Sequence, residues 1–133
     1  MSKTIGIVGS RKRDGKDDLK LVMELFRKYY EPGDKICSGG CPKGGDRFAE
    51  KIADWTRLTE DNGQLIIHRP KPVPKDSPKY VYAKAFYERN TTVAKDSDIL
   101  IAVVDPSRKG GTEDTIKKWK KFHPDNICNL VIV

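Results

Sequence analysis

Apolar positions along the chain fall into short runs separated by longer amphipathic stretches. Residues 4–8 form a β-branched run closed by Gly9, which predicts a buried first strand. Over residues 16–30, Leu19, Val22, Phe26 and Tyr29 recur at helical spacing with Leu25 beside them. Glu31-Pro32-Gly33-Asp34 ends that helix and turns the chain. Residues 35–38 form a short second strand closed by Gly39-Gly40. A second helix is predicted over residues 46–58, with Phe48, Ile52 and Trp55 on one face. Asp61-Asn62-Gly63 is a turn, and residues 64–68 form a third strand. Pro70, Pro72, Pro74 and Pro78 make residues 69–78 a long loop. A third helix spans 79–95, and residues 98–104 are the most apolar strand. After a loop over 105–111, a fourth helix at 112–122 buries Ile116 and Trp119. Residues 129–133 form a final strand.

Strand and helix thus alternate through five strands and four helices. That order defines an α/β domain with a parallel sheet covered by helices on both faces. The continuous apolar strands agree, because each strand of such a sheet is buried on both sides. Ligands of these sheets bind beyond the carboxyl ends of the strands, near the point where strand order reverses.

The chain has 133 residues, which fits one domain with an ordinary hydrophobic core. Its longest apolar runs are far short of a membrane span, and its first residues lack the apolar stretch of a secretory signal. A cytoplasmic location is the expectation. Cys37 and Cys41 sit four apart and Cys128 is distant, which is neither a disulfide framework nor a C-x-x-C motif. Reduced thiols are expected. His68 and His123 lack metal-ligand spacing, so neither a metal nor a resident cofactor is expected. Twenty-six basic against nineteen acidic residues give a net charge of +7, which favours anionic partners. On a helix, the lysines around Trp119 flank a core-facing ring, so 117–121 reads as a solvated face.

Three segments that follow strand ends are rich in small residues. They are Gly9-Ser10-Arg11, then Ser38-Gly39-Gly40 continuing through Gly44-Gly45-Asp46, and Gly110-Gly111-Thr112. Glycine lets backbone approach a ligand closely, and a helix N-terminus behind it offers N–H groups and partial positive charge. That combination suits phosphate, with Ser10, Ser38 and Thr112 as hydroxyl donors. None of the three is a Walker A loop or a G-x-G-x-x-G fingerprint, which weakens ATPase and NAD-dehydrogenase readings.

Tyr82, Phe86, Arg89 and Val93 fall on one stripe of the third helix. An arginine in an apolar stripe needs a partner. It is either an ion pair with Asp46 or Asp98, or a clamp, with Asn90, on a phosphate or carboxylate. Asp46 reads as a helix N-cap, a ligand for a ribose hydroxyl, or an orienter of Arg89. Glu113 and Asp114 suit the first turn of their helix electrostatically and are the candidate catalytic acids. Most aromatic residues read as core-facing.

The ordered set Gly9-Ser10-Arg11, Gly39-Gly40 through Gly44-Gly45-Asp46, Glu88-Arg89-Asn90 and Gly110-Gly111-Thr112 resembles the SLOG superfamily of Rossmann-like domains. The resemblance covers almost the whole chain. It is nearest to the small YspA/YpsA-like branch, related to the DprA core domain and the LOG phosphoribohydrolases. It implies a three-layer domain with strand order 3-2-1-4-5, a pocket for a nucleotide or nucleotide-derived ligand, and a homodimer. The LOG motif P-G-G-x-G-T-x-x-E aligns on Gly111-Thr112, but Thr115 stands at the glutamate position. The first expectation is therefore a nucleotide-binding or sensing module. The alternatives are a nucleoside 5′-monophosphate phosphoribohydrolase using Glu113 or Asp114, and a DprA-like binder of single-stranded nucleic acid.

Overall fold

The computed structural model describes residues 2–40, 44–56 and 63–133. The strands are β1 (Thr4–Gly9), β2 (Lys35–Ser38), β3 (Gln64–Ile67), β4 (Ile99–Val103) and β5 (Leu130–Ile132). The helices are α1 (Lys16–Tyr29), α2 (Gly45–Trp55), α3 (Lys79–Asp96) and α4 (Gly111–Phe122). All strand pairs are parallel, and the sheet order is β3-β2-β1-β4-β5. This is the doubly wound, Rossmann-like architecture, and its order reverses between β1 and β4.

The two-residue repeat of the strands sorts side chains into two cores. Ile5, Ile7, Ile36, Ile99, Ile101 and Val103 point to one face. There they meet Leu19, Val22 and Phe26 of α1 and Phe48 and Ile52 of α2. Val8, Cys37, Leu100 and Ala102 point to the other, against Val93 and Ala94 of α3 and Ile116 and Trp119 of α4. The result is three layers, α1 and α2, sheet, then α3 and α4. Trp119 is fully buried, and its indole N–H donates to the Ser97 carbonyl at 2.8 Å. Lys117, Lys120 and Lys121 are exposed, as the periodicity of α4 predicts, whereas Lys118 is half-buried and donates to the Tyr87 carbonyl of α3 at 2.7 Å.

Several boundaries and faces differ from the sequence pattern. Helix α2 ends at Trp55 with Thr56 as its cap, and Leu58, Asp61 and Asn62 lie outside the described residues. Trp55 is 57% exposed instead of packing with Phe48 and Ile52, because it occupies the last position of α2. Asn129 belongs to a short 3₁₀ turn that precedes β5. Nor do the aromatic residues mostly face the core. Trp55, Tyr80, Tyr82, Phe86, Tyr87 and Phe122 are all exposed. Helix α3 turns small residues, Ala85 and Ala94, toward the interior, so its large rings look outward.

Candidate functional site

The carboxyl ends of β1 and β4 meet at the reversal of strand order. Their pairing continues beyond the strands, where the Ser10 amide donates to the Val103 carbonyl at 2.9 Å. The two chains then part, and between them and α3 lies a cleft of about 700 Å³. Its size is that of a small-molecule site.

The first lip is the loop after β1. Ser10 Oγ accepts from the Lys12 amide at 3.2 Å and the Ser10 carbonyl accepts from the Arg13 amide at 3.1 Å, which folds a tight turn. Gly9, Ser10, Arg11 and Lys12 all line the cleft. The second lip follows β4. Asp105 Oδ1 accepts from the Ser107 amide at 2.9 Å, an Asx turn. Lys109, Gly110, Gly111 and Thr112 complete that lip at the start of α4. Gly110 has φ +105, a conformation a side chain resists, and a Cβ there would meet open space. Its constraint is therefore purely one of backbone angle.

The back wall comes from α3. Arg89 donates through Nη1 to the Gly39 carbonyl and through Nε to Asn90 Oδ1 at 2.9 Å. Its guanidinium lies so close to Gly39 that a Cβ there would sit 2.5 Å from Nη1. Asn90 is buried and bridges the two helices, donating to Asp114 Oδ2 at 3.2 Å and to the Gly111 carbonyl at 3.4 Å. Arg89 thus holds a carbonyl and an amide oxygen. Asp98, one proposed ion-pair partner, instead accepts from the Thr4 amide at the opposite end of the sheet. Asp46, 7% exposed, lines the cleft from the first turn of α2.

Of the sequence-predicted residues, Gly9, Ser10, Arg11, Gly39, Asp46, Arg89 and Asn90 come together with Gly110, Gly111 and Thr112. The others stand apart. Ser38 is buried beneath Gly39. Gly40 packs against Arg69, which donates to its carbonyl at 3.3 Å. Gly44, at φ +74, sits against the Ser10 carbonyl, and Gly45 packs on the backbone of Val8 and Gly9. Gly45 brings α2 onto β1, and Gly44 brings its start against the loop that follows β1. The Gly44 amide, expected to face a phosphate, donates to Asp14 Oδ1 at 2.7 Å, and Arg47 pairs with the same oxygen at 2.8 Å. A carboxylate of the chain itself takes that amide.

Neither candidate catalytic acid lines the cleft. Glu113 pairs with Arg108 at 2.8 Å, and Asp114 pairs with Lys118 at 2.9 Å as well as with Asn90. The acid that does reach the mouth from the β4 side is Asp105. Its carboxyl is held below the ordinary aspartate range, first by the Ser107 amide and then by Lys12. Cys37 is no nucleophile, because burial pushes its thiol up to about 12.

Lys12, Asp105, Lys109 and Phe86 are wall residues that lie outside the sequence motifs. Each had a signal. Lys12 adjoins Arg11, and Asp105-Pro106-Ser107 directly follows the most apolar strand. Phe86 precedes Arg89 by three residues, so it shares its helix face. No family model, curated protein or solved structure matches the chain.

Proposed function

We propose that the cleft binds a phosphorylated nucleoside without turning it over. The observation that carries this reading is the convergence of two glycine-bearing lips on one cleft at the reversal of strand order. In this reading the phosphate lies at the start of α4, against the Gly110-Gly111-Thr112 backbone, with Arg11 and Lys109 as counter-charges. Asp46 accepts from a ribose hydroxyl. The base lies on the α3 side, where Ala83, Phe86 and Tyr87 offer apolar surface.

Binding is favoured over N-glycosidic hydrolysis by Glu113 or Asp114 because both are engaged by cations and stand outside the cleft wall. A hydrolytic acid must reach the reacting bond directly or through one water.

The test is a thermal-shift and calorimetric panel of nucleoside mono- and diphosphates of all common bases. A ligand at 100 times its dissociation constant should stabilise the chain by about 2.7 kcal/mol. Arg11→Ala and Lys109→Ala remove exposed cations and should weaken binding roughly ten-fold each while leaving the unliganded melting temperature unchanged. No shift with any nucleotide sinks the reading, and sustained release of free base would replace it with the hydrolase.

A further inference from the structure

Phe86 is an exposed aromatic ring that belongs to two hollows at once. It lines the cleft, and it also lines a second hollow of about 340 Å³ between α3 and the proline loop. Val73, Pro70, Tyr82 and Ala85 supply apolar surface there, with Arg69 and Lys71 among the lining residues. Three contacts build this place. Tyr82 Oη donates to the Pro74 carbonyl at 3.4 Å, fixing the loop along α3. Arg69 is tied back to Gly40 at 3.3 Å. The Arg89 guanidinium sits 5.6 Å from the Phe86 ring centroid, fixing the ring beside the cleft.

A large ring left 41% exposed that lines both hollows gives each an aromatic surface for a flat group. The cations at the far hollow give the place a charge that matches phosphate. The two hollows are therefore adjacent seats, each with an aromatic wall and a basic edge.

We propose that the site takes a dinucleotide, with one nucleoside in the cleft and the second in the hollow beyond Phe86. The chemistry is the same whether the pair is a free dinucleotide or two consecutive units of a single strand. This inference rests on the nucleotide reading of the cleft.

Calorimetry on the full chain tests it with three probes. They are each common nucleoside 5′-monophosphate, the matching 5′-phosphorylated linear dinucleotide, and a single-stranded oligomer of the same base. The dinucleotide should bind about ten-fold more tightly than its monophosphate. Val73→Trp fills the second hollow and should abolish that gain with monophosphate affinity unchanged. Lys71→Glu, on an exposed loop position, should reduce the gain without touching the core. A monophosphate that binds with no gain for the dinucleotide removes the second seat and leaves the cleft reading intact. A gain that survives both variants does the same. No binding of any probe removes both readings. An oligomer tighter than the dinucleotide, with steep salt dependence, identifies a strand as the source, and equal affinity identifies the free dinucleotide.

Discussion

Lys12 and Asp105 form an ion pair across the mouth of the cleft, with Nζ 3.3 Å from Oδ2. One partner follows β1 and the other follows β4, so the contact spans the two lips. Asp105 is fixed by its Asx turn, whereas the Lys12 side chain is 80% exposed and free to swing. An arriving anion competes with Asp105 for that ammonium group. Asp105→Asn keeps the turn's acceptor and releases Lys12. It should tighten binding of an anionic ligand roughly three-fold at low salt and less at high salt, with little change in stability. Calorimetry at two salt concentrations checks this. Weaker binding in Asp105→Asn would mean that the carboxylate serves the ligand directly.

Arg89 acts as a tie before any ligand arrives. Its planar fork reaches the Gly39 carbonyl and Asn90 together, which joins the end of β2 to α3. Lysine cannot direct two donors in that geometry. Arg89→Lys should therefore cost about 1–2 kcal/mol in urea unfolding without ligand. Full stability in that variant would show that the guanidinium is held for ligand alone. It follows that loss of binding in Arg89→Ala is not evidence of direct contact unless the unliganded stability is measured beside it.

Gly45 sets how closely α2 approaches the sheet. A Cβ at this position would meet the backbone of Val8 and Gly9, which has no flexible end to yield. Gly45→Ala should cost at least about 3 kcal/mol, among the larger effects of single substitutions, and lower soluble yield. Gly111→Ala is the contrast. Its Cβ would find only Asn90 Nδ2, at 3.7 Å, so the fold should tolerate it. Gly111→Ala should lie within about 0.5 kcal/mol of the parent by denaturant titration.

That contrast shows what could be read from sequence. The glycines announced close approach, but a glycine that admits a ligand looks identical to one that admits a helix. Gly44 and Gly45 proved to be the second kind by their distance to the backbone of β1 and the loop that follows it. The alternation of strand and helix was legible because β-branched runs and helical stripes alternate along residues 4–133, whereas the strand order β3-β2-β1-β4-β5 was expected only from the family resemblance. Phe86 was misread because a periodic stripe identifies a shared face without stating what covers it. Pairs distant in sequence, such as Asp14 with Arg47 and Lys12 with Asp105, carry no local signal at all.

Asp34 makes the clearest pH-dependent contribution to stability. It is buried at the turn before β2, where it accepts from the Lys3 amide at 3.0 Å and the Glu31 amide at 2.8 Å. The Lys3 ammonium completes the set at 2.6 Å. Burial alone would raise its pKa, but the hydrogen bonds and the Lys3 ammonium outweigh it and hold the carboxyl below its ordinary value of 3.8. A depressed pKa in the folded state means that the folded form prefers the ionised carboxylate. Its stabilisation is therefore complete above 3.8 and is lost as pH falls from there through the lower folded value. Asp34→Ala also leaves the Lys3 and Glu31 amides without their acceptor and should cost about 2–3 kcal/mol near neutral pH. Urea unfolding of parent and variant gives the decisive comparison. The gap between them should hold steady across neutral and mildly acidic pH and narrow below 3.8. A gap that stays constant through that range would assign the loss to packing instead of to the carboxylate.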